Sequence, residues 1–271
     1  MAEKGMLYDL SKCMGCRGCQ VACKQWNELS GEKTEFFGGP GYQNPADLSP
    51  QTWTLVKFNE VSKAGKLEWL FRQHQCLHCT DAACIAACPV RPKKAMSRDE
   101  EHGFVYVDQE LCIGCGSCKM YCPFSVPRID DKAAKSRKCN LCMERVRNGL
   151  LPACAKACPT GAISFGDRKE MRAKAEARSK ELAKEGRKPY IYGLKQLGGL
   201  GTLYIMPGGL KYYDLPEAPK VSEDLGLLQD LLGPLSPATI TAAAVGLVLG
   251  YIRTVRAKRV EEEELVASVK K

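Results

Sequence analysis

Apolar and polar positions change phase every few residues, so the pattern predicts short elements. Gly5-Met-Leu-Tyr-Asp-Leu10 predicts a short strand, and Val21 to Asn27 one or two helical turns. Gly38 to Pro50, rich in Gly, Pro and Asn, predicts a surface loop. Trp53-Thr-Leu-Val-Lys-Phe58 and Leu67-Glu-Trp-Leu-Phe-Arg72 alternate on either side of Lys63-Ala-Gly-Lys66, which predicts a hairpin. A second hairpin is expected from Ala95-Met96 and Phe104-Val-Tyr-Val107 about His102-Gly103, and a closing strand from Ala162 to Phe165. Asp167-Arg-Lys-Glu170 has the form of a capping box with Asp as N-cap. It opens a charged helix to about Glu185, stopped by Gly186 and Pro189, whose alternating signs predict a solvated face. Tyr190 to Pro219 is a Gly-, Pro- and Tyr-rich arm with one strand, Thr202 to Met206. It is too poor in core residues for a domain and is expected to lie along a partner. Short strands and helices in mixed order make the fold class α+β.

Cysteine changes this picture most. The chain has 271 residues and 16 cysteines, in four groups of four with short internal gaps. In Cys112-Ile-Gly-Cys115-Gly-Ser-Cys118-Lys-Met-Tyr-Cys122-Pro123, three cysteines at two-residue gaps precede a fourth and a proline. That is the ligand run of a bacterial-type [4Fe–4S] ferredoxin. The loop must turn three thiolates onto one cubane, which Gly114 and Gly116 permit, and the fourth cysteine serves the other cluster of a pair. Zinc would want two separated Cys-x-x-Cys pairs around a tetrahedral point. Disulfides fail because cysteines two or three apart do not easily reach disulfide geometry with one another. The other runs are Cys13, Cys16, Cys19, Cys23-Lys24; Cys76, Cys79, Cys84, Cys88-Pro89; and Cys139, Cys142, Cys154, Cys158-Pro159. Sixteen ligands fill four cubanes with none left over. His74 and His78 flank the second run. With four cysteines already present, they are expected to be neutral and either beside a cluster or at the surface.

Net charge is +9. Four [4Fe–4S]²⁺ cores with four thiolates each carry about −2 apiece, so the loaded protein is near neutral. The basic balance therefore reads as compensation for buried clusters, and no basic motif interleaved with aromatics argues for nucleic acid. Met-Ala-Glu-Lys-Gly at the start has no apolar run and no twin arginine, so no export signal is expected in this chain. Residues 231–252 hold no charge. At 1.5 Å per residue that is about 33 Å, enough to cross a bilayer core as one helix. Ala238, Ala242, Gly246 and Gly250 recur every four residues, a stripe that lets another helix approach closely. Arg253, Arg256, Lys258 and Arg259 follow, so the positive-inside rule puts the tail 253–271 in the cytoplasm and the cysteine-rich body outside. Glu261 to Glu264 is expected to be solvated.

Four such runs in this order resemble the electron-transfer subunits of molybdopterin oxidoreductases, and within them the beta subunits of membrane-bound, formate dehydrogenase-N-type enzymes. The resemblance rests on Gln20-Val-Ala-Cys-Lys-Gln-Trp-Asn27, Asn44-Pro-Ala-Asp-Leu-Ser49, Gly65-Lys-Leu-Glu-Trp69 and Pro152-Ala-Cys-Ala-Lys-Ala-Cys-Pro-Thr-Gly-Ala162, with the helix from Lys169 and the terminal span. It implies a nested pairing by position: Cys13, Cys16, Cys19 and Cys158; Cys139, Cys142, Cys154 and Cys23; Cys76, Cys79, Cys84 and Cys122; Cys112, Cys115, Cys118 and Cys88. Two ferredoxin-like two-cluster units follow, residues 76–122 lying within an outer unit of 1–75 and 123–189. The extended arm 190–230, the transmembrane helix 231–252 and the tail complete the chain. Implied partners are a molybdopterin catalytic subunit holding molybdenum or tungsten, exported by its own twin-arginine signal together with this chain, and a membrane cytochrome b-type or quinone-reactive subunit. No residue set suits bond-making catalysis, so the expectation is a non-catalytic wire. The alternatives are the homologous subunit of a hydrogenase or of a polysulfide- or sulfoxide-type reductase, and a non-redox metal scaffold.

Overall fold

Strand β1, Lys4–Asp9, shows how the molecule is layered. Its Met6 and Tyr8 point into a core shared with cysteines, while Leu7 points to the opposite face. Period-two alternation normally separates core from solvent. Here both faces are covered, so five of the six residues are buried. The structure, a computed structural model, describes residues 3–35, 42–63, 65–221, 241–242, 244–251 and 253.

In chain order there follow α1 (Gly18–Trp26), β2 (Leu55–Lys63), β3 (Lys66–His74), α2 (Ala83–Ala86), β4 (Met96–Arg98), β5 (Val105–Val107) and α3 (Ser117–Met120). After these come β6 (Arg128–Asp130), β7 (Lys135–Arg137), α4 (Met143–Arg147), α5 (Ala153–Lys156), β8 (Ile163–Asp167), α6 (Arg168–Lys184), β9 (Tyr190–Tyr192) and β10 (Thr202–Met206). The main sheet has the order β8-β1-β10-β9. β1 runs antiparallel to β8, pairing Met6 with Phe165, and parallel to β10, pairing Leu7 with Leu203. Three separate hairpins, β2–β3, β4–β5 and β6–β7, carry the loops between cysteine runs.

Helix α6 covers one face of the sheet. Met171, Ala175 and Leu182 form a thin buried seam against Leu7, Leu203 and Ile205. The rest of the helix is charged and mostly exposed, as the sequence predicts, but the seam is what docks it. The predicted capping box does not form. Asp167 occupies the N-cap position without a side-chain cap bond. Its carboxylate instead accepts from Lys4 Nζ at 2.6 Å, and the Arg168 N–H donates to the Glu3 carbonyl at 2.8 Å. A lysine on the adjacent strand competes with the helix's own N–H groups for that carboxylate.

The segment expected to lie along a partner is instead part of the body. Its β9 and β10 complete the main sheet, and Tyr192, Tyr204 and Tyr213 are fully buried. Tyr204 OH donates to the Gln73 carbonyl at 2.8 Å, and Tyr192 OH to the Pro216 carbonyl at 2.7 Å. A strand buried on both faces shows no alternation, and its parallel partner β1 is far away in sequence.

Met1–Ser222 forms one compact unit and Glu223–Lys271 another. In the second, residues 241–242, 244–251 and 253 are helical, with Leu247 77 % and Tyr251 72 % exposed. The predicted span 231–252 lies partly, and the tail from residue 254 wholly, outside the described residues. Among the described residues no helix is long and apolar enough to cross a membrane.

Candidate metal centre

All four cysteine loops make the same backbone move. The residue before the second cysteine has positive φ in each: Gly15 at 68°, His78 at 48°, Gly114 at 69° and Leu141 at 57°. This left-handed residue turns the chain sharply, so that thiols three positions apart face the same side. At Gly114 the need for glycine is also steric, because a Cβ there would lie 2.5 Å from the Ala134 carbonyl oxygen. At His78 and Leu141 a side chain bears the strain of that conformation.

A second device sets the later cysteines. Cys19 and Cys23, Cys84 and Cys88, Cys118 and Cys122, and Cys154 and Cys158 are each four residues apart, on or just past α1, α2, α3 and α5. Positions i and i+4 are neighbours one helical turn apart. α1 packs against α5, and α2 against α3. The first cysteine of one helix then lies with the last of its partner, so each helix serves two groups.

One cavity is walled by Cys13, Cys16, Cys19 and Cys158, with Gln73 and Thr160 beside them. Another is walled by Cys88, Cys112, Cys115 and Cys118, with Ile129 and Ser136. Those last two residues belong to the β6–β7 hairpin, past the inner-unit boundary drawn at residue 122. Burial holds the Cys139 thiol well above its ordinary pKa, and Cys23, Cys142 and Cys154 act on it in the same direction. Burial likewise raises Cys79, with Cys76, Cys84 and Cys122 adding to it. Two of the four expected groups thus line cavities, and in the other two the buried thiols raise one another's pKa.

Successive groups adjoin. Burial, then Cys23, Cys142 and finally Cys19 raise Cys154, so the first two groups adjoin. Cys76 acts on Cys139, joining the second to the third. Cys118 acts on Cys84, joining the third to the fourth. All four cysteines of the second group are buried, whereas Cys16 in the first and Cys115 in the fourth are exposed.

Hydrogen-bond donors aim at the sulfurs. Gln73 Nε2 reaches Cys13 Sγ at 3.3 Å, Leu141 N reaches Cys139 Sγ at 3.4 Å, and Asn27 Nδ2 reaches Cys23 Sγ at 3.7 Å. Ser136 N donates to Cys112 Sγ at 3.3 Å, and its Oγ lies 3.3 Å from Cys118 Sγ. Tyr8, between the first two groups, accepts from Gln75 Nε2 at 2.5 Å and stands 4.0 Å from Cys154 Sγ. Burial pushes Cys19 and Cys23 up to about 12. Cys76 goes the other way. Burial opposes it, but neighbouring His78 and the charge of Lys138 pull it down to about 6.

Neither histidine is at the surface. Burial, then the charges of Arg72, Lys57 and Arg128, pushes His74 down to about 2, so its ring is neutral. His78 Nδ1 accepts from the Val105 N–H at 3.1 Å, and its Nε2 lies 3.8 Å from Cys139 Sγ. Sequence reasoning missed Gln73, Ser136 and Lys138, because each acts on a sulfur of a run distant in sequence.

The donor set fits four-iron cubanes. All sixteen thiols are free of disulfides. Among the described residues no three His, Cys, Asp or Glu side chains converge closely enough to hold a single metal ion. The first and fourth groups each surround a cavity instead, as ligands to a cluster's corners do, and amide donors face sulfurs of the first, second and fourth.

Comparison with known proteins agrees with that chemistry. Residues 12–91 and 67–168 each match a 4Fe-4S dicluster domain. The chain is 40% identical over 267 residues to the iron-sulfur subunit of nitrate-inducible formate dehydrogenase of Escherichia coli, covering 97% of this chain and 89% of that protein. It is 37% identical to the formate dehydrogenase-O iron-sulfur subunit of the same organism, covering 97% and 87%. A shorter relative, formate dehydrogenase 2 subunit beta (cytochrome c-553) of Nitratidesulfovibrio vulgaris, is 34% identical over 215 residues, 78% of this chain and 96% of that protein.

Proposed function

The chain belongs to the formate dehydrogenase iron–sulfur subunits, and we propose that it is a wire of four [4Fe–4S] clusters within such a complex. The observation that carries this reading is the succession of four adjoining thiol groups, the second wholly buried and the first and last each with one exposed cysteine. The proposed ligands are Cys13, Cys16, Cys19 and Cys158 for the first cluster; Cys23, Cys139, Cys142 and Cys154 for the second; Cys76, Cys79, Cys84 and Cys122 for the third; and Cys88, Cys112, Cys115 and Cys118 for the fourth. Bound there, each cluster supplies a one-electron carrier whose potential depends on burial, net charge and hydrogen bonds to sulfur. The protein's own residues fix the spacing, keep water from the second group and set those hydrogen bonds. The nested units, 76–122 within 1–75 and 123–189, are part of the same proposal.

The proposed donor is a molybdopterin catalytic subunit with molybdenum or tungsten, which performs the chemistry on formate. The proposed acceptor is a cytochrome b-type or quinone-reactive subunit in the membrane. Met14 and Ile113, exposed beside the two terminal groups, suit contact with such partners. Membrane attachment is proposed through one helix over 231–252, supported by its uncharged sequence and the basic residues after it. The body then faces the extracytoplasmic side and the tail the cytoplasm. Purified alone, the chain should accept electrons from a low-potential reductant yet leave formate unoxidised. Adding the catalytic subunit should restore formate-dependent reduction of the clusters. Formate oxidation by this chain alone would refute the assignment.

A further inference from the structure

Lys138 is a buried cation with no carboxylate ion-pair partner among the described residues. It is 4 % exposed, and its Nζ donates to the carbonyls of Val105 and, at 3.0 Å, Cys139. Two carbonyl dipoles do not neutralise an ammonium removed from water, and buried charges are otherwise found paired. The opposite charge it meets is that of thiolates. Its positive charge acts on Cys76, Cys84 and Cys122, three members of the third group. Val105, whose carbonyl accepts from Lys138, donates its own N–H to His78, so Lys138 stands at the junction of the second and third groups.

We infer that Lys138 sets the reduction potential of the third cluster by holding an uncompensated ammonium against it. The inference rests on the four-cluster reading above. One electron, taken from a neighbouring cluster that is thereby oxidised, carries the core from 2+ to 1+ and the cluster with its thiolates from about −2 to about −3. No bond forms or breaks and no proton moves. A fixed positive charge stabilises the more negative state more strongly, so Lys138 raises the third cluster's potential. It is a positioning residue for charge, not a ligand.

The test is a redox titration of the anaerobically purified chain followed by EPR, with the third cluster identified as the signal altered by Cys79→Ser. Lys138→Met, which keeps the length and removes the charge, should shift that cluster's oxidised-to-reduced ratio at fixed potential about tenfold, a midpoint lower by about 59 mV for one electron. The other clusters should shift less, and Lys138→Arg should stay near the wild type. If Lys138→Met does not load, Lys138→Gln carries the measurement. Loss of the third cluster alone in both neutral variants, with retention in Lys138→Arg, also supports the inference. An unchanged midpoint with full iron content, a larger shift on another cluster, or loss of iron in all three variants overturns it. A wild-type chain that binds no cubanes would instead overturn the four-cluster reading itself.

Discussion

At the scale of single residues, the cysteines divide by direction rather than by sequence neighbourhood. Cys23 stands four residues from Cys19 yet acts with Cys142. Cys23→Ser should therefore damage the cluster of Cys139, Cys142 and Cys154 and spare that of Cys13, Cys16 and Cys19, as read by EPR. Loss confined to the first cluster would show the exchange to be wrong. Gly114 gives a second test. Alanine there meets the Ala134 carbonyl at 2.5 Å in a backbone with φ of 69°. Gly114→Ala should cost about 1–3 kcal/mol locally and weaken the fourth cluster selectively. Gly116, with open space around its missing Cβ, should tolerate alanine better despite its own positive φ. The cysteines were legible because ligand spacing is a local property. Ser136 and Lys138 were not, because their nearness to sulfur is created by the β6–β7 hairpin and the segment leaving it.

At the scale of elements, the sheet depends on the segment 190–213. β10 lies between β1 and β9 and buries all five of its residues. A chain ended at Pro189 should therefore lose β9 and β10 and fail to retain iron, whereas a chain ended at Ser222 should keep its clusters. Equal iron retention by both would mean that the arm is dispensable to the body. The seam under α6 makes a milder prediction. Leu182, fully buried, should cost about 2–5 kcal/mol on truncation to alanine, seen as lower thermal stability with unchanged cluster spectra. Strand β10 was readable from its short apolar run, and the hairpins β2–β3 and β4–β5 from alternation and turn residues. The β6–β7 hairpin was not, since Lys135-Ser-Arg137 has no apolar alternation, and neither was the docking of β10, which only a distant parallel partner decides. The capping box failed for the same reason: Lys4 reaches Asp167 across the sheet.

At the scale of the whole molecule, the succession of clusters has to end at partners, and the terminal span is the proposed tie to one of them. Gly246→Leu adds a side chain to the small-residue stripe and should separate the helix from its membrane neighbour. Quinone-linked activity and co-purification of the membrane subunit should fall, with cluster content unchanged. Retention of both would make the stripe lipid-facing. The charge balance belongs to this scale too. A chain of net charge +9 becomes nearly neutral only when its clusters are in place. The central claim is that sixteen cysteines hold four cubanes, and metal and acid-labile sulfide analysis of the anaerobically purified chain tests it most directly. Four cubanes require about 16 iron and about 16 sulfide per chain, with cubane-type EPR signals on reduction. About four zinc per chain, with no labile sulfide, would contradict it.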